Sequence, residues 1–253
     1  MGWKDDPIIE AQPKWEADSL VAPAGTGRPS AQAKPALVLK AGAMPPTILT
    51  ASDNPYSAGF FPLGRHYSVG DVATFRRSDL LTEVVQRDFT YRVTNVDLEN
   101  DRVEINKGTQ IWDSMGNVLS IPGSAAARGN DNMAEPPRQY SPSELQVGKK
   151  WSAAYAVDIA SDPRSVNIDF HIASREKVRV PAGEFYAFKV VAIGWRDWRN
   201  KSDWRTEIQM SIWLLPSLNF PVKKTHVERN HFGRYWVSNV DELVSLRQMV
   251  FEI

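Results

Sequence analysis

Short runs in which apolar and polar residues alternate recur along most of this chain, and they decide what it can fold into. TFRRSD, FTYRVTNVDL and RVEINKGTQIWD come first, then WSAAYAVDIA, SVNIDFHIA, KVRV, FYAFKVVAIGW, WRTEIQMSIWLL, VKKTHVER and RYWVSNVDELVSL. Each is rich in β-branched and aromatic residues with a period near two, the signature of a half-buried strand. Asn-Asp, Lys-Gly and Met-Gly-Asn punctuate the early runs as turns. Long amphipathic helical patterns are missing; SDLLTEVVQ, 78–86, is a candidate short helix. The chain therefore reads as mainly β: antiparallel meander sheets or a half-open barrel, with two tandem related β modules after an extended N-terminal segment.

The domain reading follows the prolines. Nine of the 17 lie within residues 1–62, among Ala, Gly and Ser and with poor hydrophobic periodicity. Such a segment buries too little apolar surface to offset its ordering entropy. Residues 1–65 are thus an extended lead-in, with PALVLKAG, 35–42, as a candidate edge strand. Residues 66–122 form a first β module, 123–144 a linker, and 145–253 a second, larger module. SVGDVATF at 68 and QVGKKWSA at 146 open similar strand–strand–turn–strand successions, a hint of duplication.

KVRVPAGEFYAFKV, 177–190, resembles a V-x-VPAG-x-F-x-A-x-K segment of bacterial envelope β-protein families without an assigned function. IWLLPSLNFPVKK, 212–224, and ELVSL, 242–246, extend the likeness over roughly 140–248. The resemblance implies an antiparallel meander, half-open like the periplasmic carriers of lipoproteins, and an extracytoplasmic place, periplasm or cell surface. It transfers no catalytic residue. From the residues alone, Pro181 fixes φ and Gly183 accepts positive φ, so VPAGEF is a tight turn. HFGR, 231–234, reads as another turn.

GWRDWRNKSDWR, 194–205, is the most informative stretch for function. With Lys201-Ser202 as a hairpin tip, alternation of side chains puts Trp195 and Trp204 in the core with Ile193, Ile208 and Met210. The opposite, polar face then collects Arg196, Trp198, Arg205, Glu207 and Trp213. Arg196 would pair with Glu207, and Arg205 would cover Trp198. Tryptophan beside arginine is the composition of interaction hot spots, and a flat aromatic ring among polar groups also suits sugars. Those five residues are the binding-face candidates.

Other chemistry is thin. His226 and Glu228 share a strand face and His231 follows in the turn, a weak zinc set without a fourth ligand; no metal and no cofactor is assigned. Asp97, Glu99 and Asp101 alternate in VDLENDR but lack the glycine of a helix-loop-helix calcium loop. No nucleophile elbow, phosphate loop, dinucleotide fingerprint or His-Glu-x-x-His is present, so the catalytic set is empty. Thirty basic and 30 acidic residues cancel, which removes the electrostatic footprint of a nucleic-acid binder. No stretch reaches the roughly 18 apolar residues of a membrane helix, and MGWKDDPIIE lacks a signal peptide's basic start and apolar run. The absence of cysteine fits an oxidising compartment and a cytosol equally. The leading expectation is a non-catalytic extracytoplasmic protein that binds a partner protein or joins a surface assembly. A carrier of a lipid or other apolar ligand and a polysaccharide-binding or -cleaving protein are the alternatives.

Overall fold

The computed structural model describes residues 36–39, 61–62, 67–121, 134–135, 138–142, 144–157, 163–199 and 204–249. Among the described residues fifteen strands are formed: β1 (Ala36–Leu39), β2 (Phe61–Pro62), β3 (Val72–Asp79), β4 (Val85–Asp97), β5 (Arg102–Ile105), β6 (Gln110–Trp112), β7 (Val118–Ser120), β8 (Ala134–Glu135), β9 (Glu144–Leu145), β10 (Lys150–Val157), β11 (Arg164–Val180), β12 (Gly183–Trp198), β13 (Arg205–Leu214), β14 (Lys223–Asn230) and β15 (Tyr235–Met249). Thirteen of them belong to one antiparallel sheet, ordered β7-β6-β5-β4-β3-β15-β14-β13-β12-β11-β10-β8, with β1 also on β15. The ends of that order do not pair with each other, so the sheet is a half-open meander. No helix occurs among the described residues. The candidate helix at 78–86 is instead a turn: Asp79 accepts the backbone N–H groups of Leu81 and Thr82, a local bond that competes with helix. PALVLKAG does supply an edge strand, with Ala36 opposite Met249. The rest of the 1–65 lead-in, apart from Phe61–Pro62, lies outside the described residues, as does most of the 123–144 linker.

The segments expected as separate modules feed the same sheet through β3 and β15, paired from Asn239–Asp79 to Arg247–Val72. They share a local device. Gly70 and Gly148 sit in Val-Gly turns with φ of 95° and 91°, accessible to glycine without steric cost. Their N–H groups donate to Val93 and Ile172, and a β-bulge follows each acceptor, at Val93/Asn95 and Ile172/Ser174. Bulges bend a strand and increase its twist, which lets β11 run unbroken across a curved sheet.

Two cores result. In RTEIQMSIWL, the alternate residues Thr206, Ile208, Met210 and Ile212 are buried. They meet Val190, Ala192 and Gly194 of β12, and Val166, Ile168 and Phe170 of β11 complete the layer. This is called the inner face below. The second core joins Phe75, Val93, Ile105 and Trp112 to Val180, Phe185, Trp213 and Leu243. Its tip is the predicted turn: Pro181 and Ala182 connect Val180 to its partner Gly183, and the Ala182 N–H reaches the Leu243 carbonyl at 2.9 Å. Each fully buried Leu, Ile or Phe contributes roughly 1.5–3 kcal/mol.

Gly194 is fixed by crowding. A Cβ there would sit 2.2 Å from the Asn167 carbonyl oxygen and 2.7 Å from the Ile168 Cα, both backbone atoms that cannot swing away. Gly194→Ala is expected to destabilise by about 2–3 kcal/mol, the upper range for overpacking. A urea denaturation midpoint equal to wild type would refute this account of the β11–β12 approach.

Candidate binding surface

The β12–β13 hairpin decides which aromatic rings meet solvent. Its pairs are Ile193–Gln209, Trp195–Glu207, Arg196–Thr206 and Asp197–Arg205, and the Trp198 N–H donates to the Trp204 carbonyl at 3.2 Å. The strands are thus joined by five residues, 199–203, an odd number, and the register is displaced by one from a Lys201-Ser202 tip. A displacement of one exchanges the faces of one strand relative to its partner. Ile208, Met210 and Ile212 are in the core as expected. On β12, however, the inner residues are Ala192, Gly194, Arg196 and Trp198, while Ile193 and Trp195 turn outward.

Six expectations are corrected. Trp195 and Trp204 are both 43% exposed, and Trp198 is 5% exposed. Trp213 shares the outer side of β13 with Glu207, yet is 7% exposed because it enters the second core, where its indole N–H donates to Glu176 at 2.9 Å. Arg196 pairs with Glu228 at 2.6 and 2.9 Å, not with Glu207. Arg205 covers the ring of Trp195 at 5.4 Å, while Arg164 covers Trp198 at 5.3 Å. Of the five candidates, only Arg205 and Glu207 therefore share an accessible face, and they share it with Trp195.

Two groups of exposed rings lie at this end of the sheet. Trp198, Trp204 and Trp236 meet edge to face, with centroids 5.6–6.1 Å apart. Trp198 is the buried anchor, while Trp204, Trp236 and the turn residue Phe232, 75% exposed, face solvent. We refer to this group as the lip. On the outer face, the register sets Trp195, Glu207, Arg229 and Tyr235 side by side on four strands. They border an open depression of about 400 Å³ together with Arg205, Asn230 and His231. The Arg229 guanidinium packs on the Tyr235 ring at 4.7 Å and donates to its hydroxyl at 2.7 Å. Phe232, Tyr235, Trp236 and Arg229 were missed in the sequence. Their signal was the aromatic pair in RYWV directly after HFGR, legible once β14 and β15 are paired across that turn.

The weak metal set does not converge. His226 donates to Glu228 at 2.9 Å, and Glu228 is also held by Arg196. His231 lies in the turn with its ring against Phe232 at 3.8 Å. Among the described residues no group of three His, Asp or Glu is placed to hold a metal ion. The acidic turn is locally satisfied, since Asp97 accepts from Asn100 and Asp101 from the Ser114 N–H. Burial pushes the Glu228 carboxyl up, but the His226 hydrogen bond and the Arg196 charge outweigh it and hold the pKa at about 2. Burial pulls His226 below its usual value, against the opposing pull of Glu228.

Two predictions follow from this geometry. Trp198→Ala should cost about 3–5 kcal/mol, the range for large core aromatics, and Trp204→Ala at most about 1.5; equal losses in thermal unfolding would contradict the register. The second concerns pH. Both depressed groups stabilise the fold at neutral pH. The His226 contribution is lost as pH falls below 6.5, and that of Glu228, roughly 3 kcal/mol, as pH falls from 4.5 towards 2. Glu228→Gln should flatten the acid limb of a stability–pH profile and, by stranding Arg196, weaken the protein at pH 7 by about 3 kcal/mol.

No family model and no curated protein matches the chain. Two solved structures are similar to it. One is a Bacteroides fragilis protein named for an expected export and a YmcC-like fold: 14% identity, 75% of this chain and 99% of that one covered, TM-score 0.37. The other is a Parabacteroides distasonis protein named as a candidate lipoprotein: 13% identity, 74% and 98% covered, TM-score 0.42.

Proposed function

We propose that the chain is a non-catalytic extracytoplasmic protein that binds a partner protein through the lip formed by Trp204, Phe232 and Trp236. The observation that carries this reading is the anchoring of exposed rings on a buried one. Trp198 is fixed in the core, and Trp204 and Trp236 lean on it edge to face. Rings held in this way lose little side-chain entropy on docking, which is what makes Trp an effective hot spot. Arg205 and His231 flank the lip and line a small recess of about 50 Å³ between the rings. An envelope location is supported by the likeness of KVRVPAGEFYAFKV to envelope β proteins. The carrier reading has less support, because Ile168, Phe170, Phe188 and Ile208 already fill the inner face of β11–β13 as core.

The test is a paired one. The protein and its Phe232→Ala/Trp236→Ala variant are immobilised and exposed to solubilised envelope proteins. A partner identified on the wild type should be recovered at least tenfold less on the variant, a loss of about 1.4 kcal/mol or more, with the melting temperature of the variant within a few degrees. Equal recovery would overturn the proposal. Flotation with phosphatidylglycerol vesicles that is lost in the variant would reassign the lip to a membrane surface.

A further inference from the structure

A second surface adjoins the lip on the outer side of the sheet, and Arg205, Asn230 and His231 border both. The depression beside Glu207 and Arg229 adjoins another of about 760 Å³, bordered by Ser152, Asn167, Asp169, His171 and Ile193. Trp195 lines both. The pairing register shows that they are one trough crossing the strands. Ala154, Asn167, Trp195, Glu207, Arg229 and Tyr235 are successive cross-strand neighbours on β10 to β15. Ser152, Asp169, Ile193 and Gln209 form the adjacent row. At the usual strand spacing, six strands span about 24 Å. Small Ser152 and Ala154 keep its floor low at the β10 end.

The chemistry of the trough selects its occupant. Its backbone groups are spent on pairing with neighbouring strands, so a peptide cannot add to it as a strand, the usual route to sheet-borne peptide recognition. Its charges are mixed, with Asp169 and Glu207 against Arg229 and Lys150, so it offers no track for a phosphate chain. What remains is a row of side-chain donors and acceptors around an exposed indole plane. The ring is held in place: Arg205 packs on it, and Asp197 fixes Arg205 through two contacts, at 2.7 and 3.3 Å. Gln209 similarly fixes Glu207 at 2.7 Å, and the Ser152 hydroxyl donates to Asp169 at 2.6 Å. The Arg229 Nη2 donates to the Tyr235 hydroxyl and the guanidinium lies on that ring, while Nε is buried without a hydrogen-bond partner.

We infer that this trough is a binding site for an extended oligosaccharide. One sugar ring stacks on Trp195, neutral rings lie along Asn167 and Asp169, and a carboxylate-bearing ring takes the Arg229 end. Ring faces present C–H groups to the indole plane, while hydroxyls on the ring edges exchange hydrogen bonds with Asn167, Asp169 and Glu207. The inference does not rest on the reading of the lip as a protein-binding surface.

The experiment is affinity electrophoresis of the whole chain through gels containing xylan, hydroxyethylcellulose, alginate or hyaluronan, with isothermal titration of hexasaccharides of whichever retards it. At least one glycan should retard the protein. Trp195→Ala should weaken that binding tenfold or more with an unchanged melting temperature. Arg229→Met should weaken binding of the uronate-containing glycans, alginate or hyaluronan, and leave neutral ones within twofold. Retardation by none of the four, or retention of binding by Trp195→Ala, overturns the site. Equal loss on the neutral and acidic glycans in Arg229→Met overturns the assignment of the carboxylate end.

Discussion

Everything in this sheet depends on β15. It pairs with β14 along one part of its length and with β3 along another, and β1 lies against its final residues. Without it the β3–β7 strands and the β10–β14 strands would no longer be neighbours in one continuous ladder. A buried polar knot locks the junction. Asp71, wholly inaccessible, accepts the Ser68 and Met249 N–H groups and the Asn219 amide at 2.7–2.9 Å. Gln248 accepts from the Asn219 backbone and donates to Ser217. Burial nonetheless pushes the Asp71 carboxyl up. The desolvation cost is the largest influence on it, and the three donors only moderate that cost. The knot ties the start of β3, the end of β15 and the loop between β13 and β14 to one point.

The β character, the half-open meander and the turns at Pro181 and at 231–234 were legible in the sequence because they rest on local rules: period-two alternation, proline's fixed φ and the punctuation of glycine. The face of β12 was not. VVAIGW offers large residues at Val191, Ile193 and Trp195 and small ones at Ala192 and Gly194, so hydrophobicity alone points the large ones inward. The structure does the reverse, because β11 approaches too closely at Gly194 for any side chain and because the hairpin connection is odd in length. Neither fact can be read from composition or period. Trp213 failed for a different reason: its parity was right, but the sheet is covered on both sides where the second core begins. Pairing between distant strands, β3 with β15 above all, was equally out of reach.

The arrangement of charge on the inner face explains why the surface is free to carry aromatics. Arg196, Glu228 and His226 satisfy one another within the sheet, and Arg77 and Asp241 do the same through a bidentate pair at 2.7 and 2.8 Å. Potentially mobile charges are thereby used inside the structure. Outside, cations are paired with rings: Arg205 on Trp195 and Arg229 on Tyr235. Such contacts orient an exposed ring at small energetic cost, leaving it planar and presented.

The long-range pairing of β3 with β15 also sets an order of events during synthesis. The partners Val72 and Arg247 are separated by most of the chain, and contacts of that range form slowly. The ribosome releases β3 early, yet its neighbour is the last strand to be made. For that whole interval β3 presents an unsatisfied hydrogen-bonding edge, with Phe75 on the surface that later becomes core, the kind of edge that recruits other chains. The meander from β10 to β14 can close by neighbour-to-neighbour hairpins in the meantime. The nascent protein is therefore most vulnerable in its first half until its last strand arrives.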